Sequence, residues 1–310
     1  MAYTTSDLLA EIKRDDFFSS SQTFFTDQEL LSIGDGELLA EIIPMIKSFN
    51  ENYYMELVDS SFIANQSAYA LPKYGMWNVV FLVQRINQSG IAIYPDFVRL
   101  ELDQLKDYQV TNTGVPNAYY ILNDTINFVP TPGSGVTDRY RLWIYRRPGR
   151  MVPVSSAAQV QSVNLATGQV TYTAVPPATY TASSRHDFYS STPPFRRLQT
   201  DIQATAIAGA VQTFPIANVQ NLSAGDYVCV VDETVYPPIP LELQSYLSEI
   251  IIKMVSKSRT DAQTYNLQKE EILGKMKGVL SGLYSRSVGR PQRMSLSNNS
   301  LIRGFGRKYW

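Results

Sequence analysis

The chain has 310 residues, 27 basic and 28 acidic, for a formal net charge of −1. Its single histidine, His186, and single cysteine, Cys229, exclude an intrachain disulfide and the zinc sites built from Cys/His clusters. Charged residues make up 18%, against about 25% in an ordinary globular chain, and there are 20 tyrosines.

The length suits about two domains with cores large enough to need no staples. Tyrosine brings an apolar body with a polar tip, so this composition favours buried contact over catalysis. No apolar run approaches the ~20 residues that span a bilayer. The start, MAYTTSDLLAEIKRDD, has acids where a signal peptide would be apolar. Synthesis in a cytoplasm is expected, and one free thiol fits a reducing compartment.

Residues 1–60 read as helical. Ser6 can cap a short amphipathic helix carrying Leu8, Leu9 and Ile12. After the polar linker SSSQTFF, Thr26-Asp27-Gln28-Glu29 has the form of a capping box. Leu31, Leu38, Ile42, Met45, Ile46 and Phe49 follow at nearly helical period, with a bend expected near Pro44.

Residues 61–150 switch to β-branched and aromatic runs separated by turn residues, which predicts an antiparallel meander or small sandwich. Residues 151–184 hold no charge, yet alternate in strand fashion, so order is favoured over disorder. QTFPIANVQNLSAGDYVCVVD reads as two strands around a Ser-Ala-Gly-Asp turn, and 151–235 as a β-rich insertion. Pro240 suits a first helical turn. Leu243, Leu247, Ile250, Ile251 and Met254 then share one helix face. After a break near 258–260, a second helix presents Tyr265, Ile272, Met276, Val279, Leu280 and Leu283. The class predicted is α+β: a helical bundle from the N- and C-terminal helices (the latter over 236–284), an antiparallel β region within 1–150, the insertion 151–235 and an extended basic arm, 285–310.

Candidate chemistry is sparse. His186-Asp187 lacks the nucleophile elbow of a Ser-His-Asp site and reads as a surface or loop histidine. Cys229, inside Tyr227-Val228-Cys229-Val230-Val231, reads as a buried hydrophobe. Gly133-Ser134-Gly135 is followed by a strand and lacks a Walker Lys, so it reads as a hairpin turn. The acid pairs Asp15/Asp16, Glu37/Glu41, Asp232/Glu233 and Glu270/Glu271 read as solvated faces. No metal or cofactor is expected. The arm is the stronger signal: five arginines, one lysine and no acid, interleaved with apolar anchors. Its candidate docking residues are Arg286, Arg290, Arg293, Leu301, Ile302, Arg303, Phe305, Arg307, Lys308, Tyr309 and Trp310, with the guanidiniums suited to carboxylates or phosphates. Because the arm carries six positive charges out of a total of −1, residues 1–284 carry −7.

The order of these parts resembles the head-to-tail connector (adaptor, or head-completion) proteins of tailed bacteriophages. The resemblance lies in DLLAEIKRDDFFSSSQTFFTDQELLSIGDGELLAEIIPMIKSFNENYYM, then SAYALPKYGMWNVVFLV, then GVPNAYYILNDTINFVPTPGSGVTDRYRLWIYRRPGRMV. PPIPLELQSYLSEIIIKMVSKS and GRPQRMSLSNNSLIRGFGR continue it, while 151–235 shows none and Gly34/Gly36 departs from the usual unbroken helix. The resemblance implies a non-enzymatic homo-oligomeric ring, usually of twelve copies, at the neck of the virion. Such a ring sits between portal and tail or second-ring proteins, around a channel for double-stranded DNA. The arm would reach the portal. Two other readings stay open. One is a tail receptor- or glycan-binding module using exposed tyrosines such as Tyr172 and Tyr180. The other is a tail-associated hydrolase using acids such as Asp226 or Asp232.

Overall fold

Thr4, two residues before Ser6, opens the first helix: its backbone N–H and hydroxyl both donate to Asp7 Oδ2, at 2.8 and 2.9 Å. The computed structural model describes residues 3–14, 25–107, 112–192, 197–257 and 262–285. Its helices are α1 (Thr5–Arg14), α2 (Asp27–Glu37), α3 (Ile43–Phe49), α4 (Ile216–Val219), α5 (Gln244–Ser256) and α6 (Ala262–Ser285). The class is mixed α+β.

The capping box at Thr26 forms in full, with the Thr26 hydroxyl accepting from the Glu29 N–H and the Glu29 carboxylate accepting from the Thr26 N–H. The expected bend at Pro44 takes another form. Pro44 has no N–H to give the helical ladder, and a π turn over Leu38–Ile42 precedes it, with Ile43 N donating to Leu38 O. Thus α2 and α3 run on as one interrupted helix. Gly34 in α2 is a packing residue: a Cβ there would lie 2.8 Å from Ile251 Cδ1 and 2.9 Å from Met151 Cε. Only a glycine lets α2 approach α5 this closely. Leu8, Ile12, Leu31, Ile42, Leu247, Ile251, Met276 and Leu280 meet in one core, so helices from both ends of the chain share it.

The strands begin earlier than the sequence suggested, inside the stretch read as helical. They are β1 (Met55–Ser61), β2 (Ala68–Ala70), β3 (Gly75–Ile86), β4 (Val98–Arg99), β5 (Thr113–Gly114), β6 (Ala118–Leu122), β7 (Thr125–Val129), β8 (Thr131–Pro132), β9 (Arg139–Arg146) and β10 (Arg150–Met151). One sheet is antiparallel in the order β1-β9-β3, and a second runs β2-β7-β6-β4 with β4 parallel to β6. Their facing sides enclose a second core, in which Phe62, Tyr69, Phe97, Phe128 and Tyr140 stack edge-on or tilted with centroids 4.8–6.1 Å apart. The arrangement is a small sandwich, not a meander, because β9 inserts between β1 and β3.

The remaining strands are β11 (Ala158–Asn164), β12 (Gln169–Tyr172), β13 (Arg185–Tyr189), β14 (Arg197–Gln203), β15 (Ala206–Ala208), β16 (Val211–Thr213), β17 (Tyr227–Val230) and β18 (Glu233–Thr234). Hydrogen bonding runs β14-β13-β17-β11-β12-β16-β15. β14 passes through Ala204 and Thr205 into β15, and these two residues donate to Ser184 O and Thr213 O. The two ends of the sheet are therefore one bent segment, and the sheet closes into a small barrel. Val160, Val170, Tyr172, Phe188, Phe214 and Val228 fill it. Pro215 opens the short helix α4 inside the stretch that the sequence suggested as the strand before the Ser-Ala-Gly-Asp turn.

Two connections join barrel and body, and they run side by side as the parallel pair β10–β18. The helical core holds this stem directly. Met151 N donates to both carboxylate oxygens of Asp35 at 3.1 Å, and Thr5 donates through N to Val235 O and through Oγ1 to Val152 O. Burial pushes the Asp35 carboxyl up to about 7, against the lowering effect of the Met151 N–H and of Arg150.

Candidate functional site, an arginine-floored cleft beside the barrel

Strand alternation places the key groups. In β13, His186 and Phe188 point into the barrel, while Asp187 and Tyr189 point out toward the body. In β9, Tyr140, Leu142 and Ile144 occupy the inward phase, and Arg146 continues that phase at the strand end. Arg146 and Asp187 thus meet where sandwich and barrel adjoin.

The Arg146 guanidinium lies 2.7 Å from Glu56 Oε2 and 3.5 Å from Asp187 Oδ2, also bonds Thr200 Oγ1, and stacks over the Tyr74 ring at 4.4 Å. Arg197 reaches Asp187 Oδ2 at 3.1 Å and covers the Tyr189 ring at 5.0 Å. Asp187, wholly buried, also accepts the N–H groups of Asp201 at 2.9 Å and Asp232 at 3.0 Å. Both donors sit in left-handed backbone, with φ of 55° and 64°. The pairing of β13 with β14 shifts register here, a bulge that turns the Asp201 N–H onto the carboxylate. Burial pushes the Asp187 carboxyl up to about 6, with Arg146 and the two N–H groups pulling the other way.

Above this clamp opens a cleft of about 810 Å³. Its floor is Arg146 and Arg197, its walls include Tyr53, Tyr54 and Leu241, and Pro237, Pro238 and Pro240 form one side. β1 and β14 border it, and each is the last strand of its hydrogen-bonded order, with one edge lacking a strand partner among the described residues. Such a site offers apolar stacking, exposed backbone groups and a charge-balanced floor. It can grip an extended peptide.

All the arm residues named from the sequence, Arg286 to Trp310, lie outside the described residues, as does the Asp15/Asp16 pair. Cys229 is buried as expected, and burial raises its thiol far above the ordinary range. Gly133-Ser134-Gly135 connects β8 to β9, which belong to different sheets, so it is a crossing between sheets and not the hairpin turn expected. Four further expectations are corrected. His186 is not a surface or loop residue: it is fully buried inside the barrel. Glu37 is not on a solvated face but buried against α6, where Lys269 pairs with it at 2.9 Å. Tyr172 and Tyr180 are not exposed for ligands; both fill the barrel core, bonding Gln212 Oε1 at 2.6 Å and Val228 O at 2.5 Å. Asp226 is buried and spent on a turn, accepting from Ser191 N and Ser223 N at 2.7 Å.

Sequence reasoning passed over the Arg146–Asp187–Arg197 clamp. One signal was present: Arg146 is an arginine in the apolar phase of an alternating strand, where a charge needs a buried partner. Nothing local marks its partner forty-one residues away.

Among the described residues no group of three or more His, Cys, Asp and Glu is arranged to hold a metal ion. Among them no helix is long and apolar enough to cross a membrane. No protein-family model matches the chain, and no curated protein matches it.

Proposed function

We propose that this chain is a structural virion subunit, a head-to-tail adaptor that assembles as a homo-oligomeric ring, of twelve copies by family resemblance, between portal and tail. In this reading the ring surrounds the channel that DNA traverses, and the arm Ser285–Trp310 docks on the portal. The observation that carries it is how the arm is borne. The first and last helices share one core, and the 24-residue α6 delivers the chain from that core straight into the arm. A partner gripping the arm is thereby coupled to the packed body. The arm's own six positive charges oppose a body of −7, which suits contact with an acidic partner while leaving an acidic lining that DNA does not adhere to. The insertion 151–235, carried on its stem, faces tail proteins or neighbouring copies in this arrangement. Many arms acting together raise the hold on the portal by avidity.

Electron microscopy of the full chain with portal particles tests the proposal. A closed ring with an axial channel on the portal is expected, and deletion of 285–310 is expected to leave a folded protein that no longer docks. Isolated monomers beside bare portals, or undiminished docking of the truncated chain, would reject it.

A further inference from the structure

We infer that the cleft beside the barrel is the docking place of the chain's own arm, residues 286–296, lying there as an extended strand. The helix that carries the arm ends close to the cleft. Tyr284, on the last turn of α6, packs on the helical core, as does Tyr54. Its hydroxyl acts on those of both Tyr53 and Tyr54, whose side chains wall the cleft. α6 also adjoins the turn 241–243, which supplies Leu241 and Glu242 to the same wall. The next residues of the chain therefore start close to the opening, and eleven extended residues reach roughly 35 Å.

Among the described residues nothing covers the cleft, and the arm can supply a cover. Tyr53 is 38% exposed, Leu57 47% and Leu241 43%, three large apolar side chains gathered around one opening. Residues 293–297, Arg-Met-Ser-Leu-Ser, alternate so that Met294 and Leu296 share one side of a strand. That side suits the apolar wall, and the strand backbone suits the edges of β1 and β14 that have no strand partner among the described residues. Arg286, Arg290 and Arg293 meet Glu242, an exposed carboxylate with no ion pair among the described residues. Arg147, also at the cleft, opposes that attraction, so apolar cover and backbone pairing carry the docking. The inference extends the adaptor reading and rests on it for one consequence: the arm is parked on its own body until the portal displaces it.

Cysteine pairs in the full chain test this. Leu241→Cys with Met294→Cys is expected to oxidise to an intrachain disulfide at least tenfold faster than Leu165→Cys with Met294→Cys. Leu165 is exposed on the barrel hairpin, and the native Cys229 is buried. Equal rates overturn the inference, and disulfide-linked dimers without the intrachain product assign the cleft to a neighbour's arm and overturn it too. Trypsin gives a second reading without new cysteines. Cleavage after Arg293 is expected to be at least tenfold slower than after Arg303, and Leu241→Glu is expected to abolish that difference. Equal cleavage in the unaltered chain overturns the docking. The adaptor reading fails separately: fast intrachain linkage together with portal binding by the truncated chain rejects the portal role and leaves the docking intact.

Discussion

Acidification should erode the stability that a neutral, buried His186 gives the barrel. Gln212 Nε2, a donor, lies 3.0 Å from His186 Nε2, so that nitrogen must accept, and the ring proton sits on Nδ1, donating to Cys229 O at 3.3 Å. Ser184 Oγ lies 2.7 Å from the same Nε2, and Tyr180 and Phe214 pack around the ring. A second proton on Nε2 would face the Gln212 amide in an apolar interior. Burial lowers the His186 pKa from 6.5 to about 4. The unfolded chain takes up this proton as pH falls through 6.5, while the folded chain refuses it until about 4. Stability is therefore lost as pH falls across that window. The loss is about 2 kcal/mol at pH 5 and about 3 kcal/mol once pH is below 4. Asp35 and Asp187 titrate in the opposite sense, because raised carboxyl pKa values favour the folded state on acidification, so the native chain alone would hide the effect. The comparison with His186→Gln isolates it, since the glutamine oxygen can accept at the Nε2 position and does not titrate. Urea unfolding at pH 7, 6 and 5, read by amide exchange within 158–230, should show the native barrel losing about 2 kcal/mol relative to the variant between pH 7 and 5. Parallel pH dependences would refute the buried, singly protonated histidine.

The helical core offers a paired test: Gly34→Ala should cost about 1–3 kcal/mol by overpacking against Ile251 and Met151, whereas Gly36→Ala, with open space around it, should be neutral or stabilise by up to about 1 kcal/mol. Urea midpoints of the two variants check the contrast. Asp35→Asn should remove the stabilisation the native chain gains as pH falls from about 7 toward 4, seen as a flatter stability profile in the helical transition. At the clamp, Asp187→Ala leaves two guanidiniums and two N–H groups without their carboxylate and should cost about 3–5 kcal/mol. Combined with Arg146→Met, the double variant should cost less than the two singles together by about 1–2 kcal/mol, and strict additivity would show that the pair is not coupled.

What could be read from the sequence was whatever rests on local spacing. Thr26 and Glu29 are three residues apart, and their reciprocal bonds form as expected. Leu247, Ile250 and Ile251 form the buried face of α5, with Leu243 buried just before it, because a 3.6-residue period is enough to define a face. Cys229 declared its burial through the alternation around it. What could not be read depends on partners distant in the chain. His186 looked like a loop residue because a histidine and an aspartate interrupt the apolar pattern, yet both faces of β13 are buried, one by the barrel interior and one by the body. Tyr172 and Tyr180 looked like contact tyrosines until closure of the barrel turned them inward. Only that closure supplies the carbonyl and the glutamine that satisfy their hydroxyls.

The two attachments of the barrel differ in kind, and together they restrict its motion more than either alone. The stem is backbone: β10 pairs with β18, and Asp35 and Thr5 tie it to the helical core. One such attachment is a hinge about which a barrel could swing. The clamp is side chain: Arg146, rooted in the sandwich, grips the outward face of β13 through Asp187 and that of β14 through Thr200. A body held at two separate places cannot rotate without breaking one of them. The clamp is the weaker restraint, because its net strength is the Coulomb attraction less the cost of burying the charges, and the raised Asp187 pKa shows that burial outweighs the attraction. Loss of Arg146 should therefore free the barrel to move about an intact stem, with amide exchange rising along β14 while β10 and β18 stay protected. Simultaneous loss of protection in all three strands would mean that barrel and stem unfold as one unit and that the clamp does not act separately.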